Sequence, residues 1–213
     1  MLRCLAAVLV LASVGVLAAT ASSATVDPRL LVLRRADVPA GFKPHRSDVL
    51  TNAEESAGQP KVAAFFRRTG RITGFETVFE TEGDRNGPSI ESRAELFRRA
   101  AGARNFLLGF DSEMKLSGVR GLRRTPANIG AQGWVYSVDS SSGYTLVAWR
   151  YGRIVGGVLG LDISRPRTVS LARAQQRRIA AALGLTDATR VVRPVGSGPT
   201  PARPRSRRRP RPA

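Results

Sequence analysis

Residues 146–161 read LVAWRYGRIVGGVLGL. Two apolar runs meet at Tyr151-Gly152-Arg153-Ile154, and the reading of that junction decides the fold. With Gly152-Arg153 as a two-residue turn, glycine at the first central position suits a type II′ hairpin, whose φ is positive there. Tyr151 then faces Ile154, Trp149 faces Gly156, Val147 faces Val158 and Leu146 faces Leu159. Trp149 over Gly156 is a large-over-small pair, which fills the space that glycine leaves. Ser140–Gly143 reads as a four-residue loop to a preceding strand, which pairs Trp134 with Trp149 and Tyr136 with Val147. One face then gathers Trp134, Tyr136, Val138, Val147, Trp149, Tyr151, Ile154 and Val158 around Gly156 and Gly160. A change of one residue in the serine loop flips the contribution of the first strand.

Both faces of this unit are apolar, so either both are covered or one is open to a ligand. The binding alternative is an aromatic groove of Trp134, Tyr136, Trp149 and Tyr151, edged by Arg150 and Arg153. The other alternative is a core face beneath a helix. Outward from the hairpin, the three strands are expected at 133–139, 144–151 and 154–163. A helix over 167–183, with Leu171, Gln175, Ile179 and Leu183 along it, ends at Gly184.

Toward the N-terminus, Asp27-Pro28 opens a short helix, with Leu30, Leu31 and Leu33 expected inside. A loop at 37–42 leads into a strand reaching Leu50. A helix over 60–69 closes with Arg67, Arg68 and then Gly70, the order that helix ends favour. RITGFETVFET (71–81) alternates as a strand. Ser92-Arg93-Ala94-Glu95 matches a capping box and predicts a helix over 93–110, striped by Leu96, Phe97, Ala100, Ala103, Leu107 and Phe110. The stretch 111–132 reads as irregular. The sum is a single α+β domain over 25–190, an antiparallel sheet of about five strands with helices packed on it.

The flanks have different compositions. MLRCLAAVLVLASVGVLAATASSA (1–24) has the charged start, apolar middle and small-residue end of a secretory signal. The alternative is an uncleaved anchor, for which the apolar run is short against the roughly 20 residues of a bilayer span. Cys4, the only cysteine, lies in that segment, so no disulfide or thiolate site is expected beyond it. The sequence carries 34 basic and 16 acidic residues, a formal +18. Residues 193–213 hold seven arginines, six prolines and no acid. This stretch, with the 191–213 segment around it, reads as a disordered or polyproline-like tail. Arg203, Arg205, Arg207, Arg208, Arg209 and Arg211 are its candidate contacts to anionic envelope polymers or lipid headgroups, because the guanidinium fork grips phosphate. Nucleic acid is not an expected partner of a secreted chain. Arginine outnumbers lysine 31 to 3, which also fits a GC-rich coding bias in which arginine is the default cation.

Catalytic sets are sparse. His45 is the only histidine, too few for a multi-histidine metal site. No GxSxG or SxxK motif names a serine nucleophile. Glycines 156, 157 and 160 do not form a dinucleotide fingerprint, and Asp139–Gly143 lacks the further carboxylates of a calcium loop. No cofactor or metal is expected. Glu76, Glu80 and Glu82 share strand parity. Glu76 and Glu80 are the candidates for a carboxylate hydrolase acting on wall glycans, if they face one cleft.

At LLVLRRADVPAGF (30–42), NIGAQGW (128–134) and WRYGRIVGGV (149–158), the chain resembles actinobacterial-type secreted domains, namely the extracytoplasmic sensor domains of receptor kinases and PsbP-like lipoproteins. The resemblance spans about 30 to 185. It implies an antiparallel sheet with helices on it and a binding or sensing role without catalysis. The chain departs from the sensors in lacking paired cysteines and from the lipoproteins in lacking a lipidation cysteine. The expectation is therefore a secreted or cell-envelope binding module with an unidentified small ligand. The rivals are the hydrolase and a structural or adaptor protein that binds through a sheet edge.

Overall fold

The central hairpin forms in the expected register. In the computed structural model, which describes residues 26–83, 87–138 and 143–184, Tyr151 pairs with Ile154, Trp149 with Gly156 and Val147 with Val158. Gly152 has φ +55 while Arg153 keeps negative φ, the type II′ signature. The signal-like segment 1–24 and the tail 191–213 lie outside the described residues.

Two single 3-10 turns, Pro28–Leu30 and Arg35–Asp37, begin the described chain. The Asp27 carboxylate accepts from the Arg29 N–H at 2.9 Å, and Pro28 needs no donor there. Leu31, Val32 and Leu33 are buried, but Leu30 is on the surface rather than inside as expected. Next come β1 (Phe42–Leu50), α1 (Asn52–Glu55), α2 (Pro60–Thr69) and β2 (Arg71–Thr81). Then follow β3 (Ser89–Phe97), α3 (Ala100–Leu116), β4 (Leu122–Pro126), β5 (Gln132–Val138), β6 (Thr145–Tyr151), β7 (Ile154–Leu161) and α4 (Arg165–Ala182). Gly70 ends α2 in the left-handed conformation, as the Arg67-Arg68-Gly70 pattern predicts.

The strands form one antiparallel sheet in the order β1-β2-β3-β7-β6-β5-β4. Two meanders, β1–β3 and β4–β7, meet at the β3–β7 pair. Helix α3 carries the chain from the centre across one face to the far edge. That face is lined by Phe97, Trp134, Tyr136, Ala148 and Val155 against Ala103 and Leu107 of α3. The opposite face presents Phe79, Ile90, Val147, Trp149, Ile154 and Val158 to α4 and to the Leu31–Leu33 segment. The α+β class with helices on an antiparallel sheet holds, but there are seven strands rather than about five.

The two extra strands replace elements expected to be otherwise. Residues 89–97 are β3, not the first half of a helix, and α3 starts only at Ala100. Ser92 is no N-cap. Its buried hydroxyl accepts from the Leu33 N–H at 2.9 Å and donates to Gln175 Oε1 at 3.0 Å. Gln175 Nε2 in turn donates to the Arg93 carbonyl at 2.8 Å, so one polar relay ties the N-terminal segment, β3 and α4. Glu95 is in strand, opposite Gly74. The stretch expected to be irregular contains the end of α3 and β4.

The β5 register also differs. Trp134 pairs with Ala148, and Gly133 with Trp149. Val138 donates to the Tyr144 carbonyl, which leaves five residues between the strands rather than four. By the period-two rule that single residue puts Trp134 and Trp149 on opposite faces. The single aromatic face does not form.

Adjacent glycines in β7 test this assignment of faces. A Cβ on Gly156 stands 2.5 Å from the Trp149 ring, whereas one on Gly157 meets only the Val147 carbonyl oxygen at 4.0 Å. Gly156→Ala is expected to destabilise the protein by about 1–3 kcal/mol. Gly157→Ala is expected to change stability by less than about 0.5 kcal/mol. Urea unfolding of the two variants distinguishes them, and equal costs contradict the assignment.

Candidate functional site

Alternation along β7 puts Val155, Gly157 and Leu159 on the α3 face of the sheet. Gly157 stands between Ala148 of β6 and Arg93 of β3. Two small side chains in a row at the sheet centre leave a hollow that larger residues close elsewhere. A cleft of about 330 Å³ opens there. Its floor is Ala148 and Gly157, and Leu146, Val155 and Leu159 line its walls. Phe106 and Phe110, one turn apart on α3, line it from the helix side. Phe106 is braced by Phe97 and Phe65 at 5.1 and 5.5 Å between ring centroids, and Phe110 meets Tyr136 edge-on at 5.9 Å. The volume suits a small ligand.

One end of the cleft is charged, because β3 turns Glu91, Arg93 and Glu95 to this face. Arg71, whose side chain is fully buried, donates to Glu95 Oε2, Glu55 Oε2 and Asn52 Oδ1, each at 2.5 Å. Arg93 joins Glu55 at 2.5 Å, pairs with Glu95, and stands 4.0 Å from Glu76. Arg46 from β1 pairs with Glu76 and, at 2.9 Å, with Asp48. Glu91 is the diagonal neighbour of Glu76 across the β2–β3 pair, on the same face of the sheet. Burial first, and then the nearby Glu76 charge, push the Glu91 carboxyl up to about 7, against the opposing pull of Arg93 and Arg46. Burial also raises Glu95, in spite of Arg93 and Arg71.

The six aromatic and arginine candidates are dispersed, and none of them lines the cleft. Trp149 is fully buried on the α4 face over Gly156. Tyr151 is half-buried beside that core. Trp134 packs on the α3 face with the Arg124 guanidinium 4.4 Å from its ring centroid. Tyr136 is fully buried and donates to Asp111 Oδ1 at 2.7 Å; burial and that bond raise its phenol above the ordinary range. Arg150 donates to the Gly152 carbonyl at 3.3 Å, and Arg153 occupies the turn. The tail arginines, Arg203 to Arg211, lie outside the described residues.

The carboxylate candidates are also separated. Glu76 is buried in the cluster. Glu80 stands 3.4 Å from Nδ1 of the exposed His45, and Glu82 pairs with Lys43 at 2.6 Å. Sequence reasoning missed Glu91, Arg93, Phe106 and Gly157 as a group. The alternation E-R-E-F in SIESRAELF was the available sign that this stretch is a strand with one charged face.

No protein-family model matches the chain, and no curated protein matches it. Among solved structures, the chain is similar to the extracellular domain of PknH from Mycobacterium tuberculosis. The identity is 11%, the TM-score is 0.48, and the match covers 70% of this chain and 94% of that one.

The Glu91 carboxyl yields a signed pH dependence. Its ordinary value is 4.5 and its folded value about 7, so between these the folded state holds more protons than the unfolded. Stability therefore falls as pH rises through that window. Glu91→Gln is expected to remove about 1–2 kcal/mol of the stability difference between about pH 5 and pH 8, a figure reduced for partial exposure. Urea unfolding at both pH values measures it. Parallel pH profiles for the two proteins contradict it.

Proposed function

We propose that this chain is an extracytoplasmic, non-catalytic binding module that holds a small molecule with an apolar body in the cleft beneath α3. The observation that carries the reading is the cleft itself, with Gly157 at its floor and open space above it. Two phenylalanines and three aliphatic side chains give the apolar contact area, and the β3 charges give one polar end. Sites of this form are preformed, mostly apolar and fixed in orientation by a few polar groups.

Binding rather than hydrolysis is favoured by the state of the acids. A glycosidase needs two carboxyls roughly 5 to 9.5 Å apart with room between them for sugar or water. Here Glu76 is buried and paired with Arg46, while Glu80 lies by His45. The extracytoplasmic part rests on the signal-like composition of residues 1–24. The Arg/Pro-rich end, Arg203 to Arg211, is proposed as a tether to anionic envelope polymers or lipid headgroups. Among the described residues no helix is long and apolar enough to cross a membrane.

The neutral fluorophore N-phenyl-1-naphthylamine tests the cleft. The wild-type protein is expected to bind it with enhanced fluorescence. Gly157→Leu fills the floor at a position without positive φ and is expected to weaken binding at least about tenfold, since it removes the volume an apolar ligand occupies. Thermal unfolding confirms that the variant is folded. Equal binding by both proteins, or none by the wild type, contradicts the cleft as the site.

A further inference from the structure

Resting on the cleft reading above, we propose that the ligand is a cationic amphiphile. Its apolar body fills the space between α3 and Gly157, and its ammonium group meets the Glu91–Glu76 carboxyl pair. Four carboxyls, Glu55, Glu76, Glu91 and Glu95, share the polar end with three guanidinium groups, Arg46, Arg71 and Arg93. Arg71 and Arg93 are taken up by Glu55 and Glu95. Arg46 divides itself between Glu76 and the exposed Asp48. Among the described residues Glu91 is the carboxyl in excess of these pairings, and it lines the cleft diagonally beside Glu76 on the same face of the sheet. A proton or a ligand cation satisfies that pair; an anionic head adds a fifth negative group.

The surroundings of Glu91 fix how pH acts. Glu76 on β2 and Arg46 on β1 face it from the strand side, and Arg93 is its neighbour on β3. Tyr144, just before β6, is a phenol raised by burial and by the Glu91 charge. Leu159 is opposite on β7, and the helix contributes Phe106 and Phe110 to the cleft. A ligand cation competes with the proton that the raised Glu91 carboxyl holds, so binding strengthens as pH rises through about 7. An alkylammonium, like the lysine head group, stays charged throughout that range.

Calorimetry with n-octylammonium, n-octanol and n-octanoate tests the proposal on the full chain. At pH 8 n-octylammonium is expected to bind at least about tenfold tighter than n-octanol, a difference of about 1.4 kcal/mol, with n-octanoate the weakest. For the wild type alone, that preference is expected to shrink severalfold at about pH 5.5. In Glu91→Gln, whose folding is checked by circular dichroism, the ratio of the two affinities is expected to collapse to about one. Equal binding of n-octylammonium and n-octanol by the wild type overturns the cationic ligand and leaves the cleft reading standing. Tightest binding of n-octanoate also overturns it. Binding of none of the three overturns both readings.

Discussion

Arg71 has no exposed side-chain surface, and its charge is met by Glu95 from the neighbouring strand and Glu55 from α1. Removing either partner of such a buried pair strands the other charge, at a cost of about 3–5 kcal/mol. The pair fits because Gly74 stands opposite Glu95; a Cβ there lies 2.5 Å from the Glu95 carboxylate and 2.7 Å from the Arg71 guanidinium. The Arg71 guanidinium also lies over the Phe66 ring, 4.7 Å from its centroid, which ties α2 to the same point. The strand so anchored, β3, is the one that joins the two meanders. Its other face sends Ser92 to Leu33 and Gln175, linking the N-terminal segment and α4.

One strand thus organises both sides of the sheet. Its inward residues Ile90, Ala94 and Leu96 enter the α4-side core, while Glu91, Arg93 and Glu95 emerge on the α3 side. Beside them Gly157 carries no side chain and Ala148 only a methyl group, and the hollow they leave becomes the cleft. Charge and cavity are adjacent because cross-strand pairing sets Arg93 beside Gly157 and Glu91 beside Leu159. The amphipathic character of the site is a consequence of register.

Legibility in the sequence followed the range of the forces involved. The β6–β7 hairpin was readable because Gly152 sets its turn locally and Trp149 over Gly156 fixes its register. The α2 end was readable from Gly70 for the same reason. β3 was not, because the groups that stabilise its charged face, Arg71, Glu55 and Glu76, lie on other elements. Locally, Ser92 to Ala101 carries helix formers and a capping pattern, and tertiary pairing overrode both. The β5 register was lost by one residue between Val138 and Tyr144, enough to separate Trp134 from Trp149. That error hid the cleft, because it merged two faces into one aromatic face and drew attention from Gly157 to Trp149.

The most direct measurement is a crystal structure of the protein soaked with n-octylammonium. The account predicts the alkyl chain between Phe106, Phe110 and Gly157, with the nitrogen at hydrogen-bond distance from the Glu91 carboxyl. A cleft closed by the Phe106 ring, or an alkyl chain seated on the Trp149 face, contradicts it.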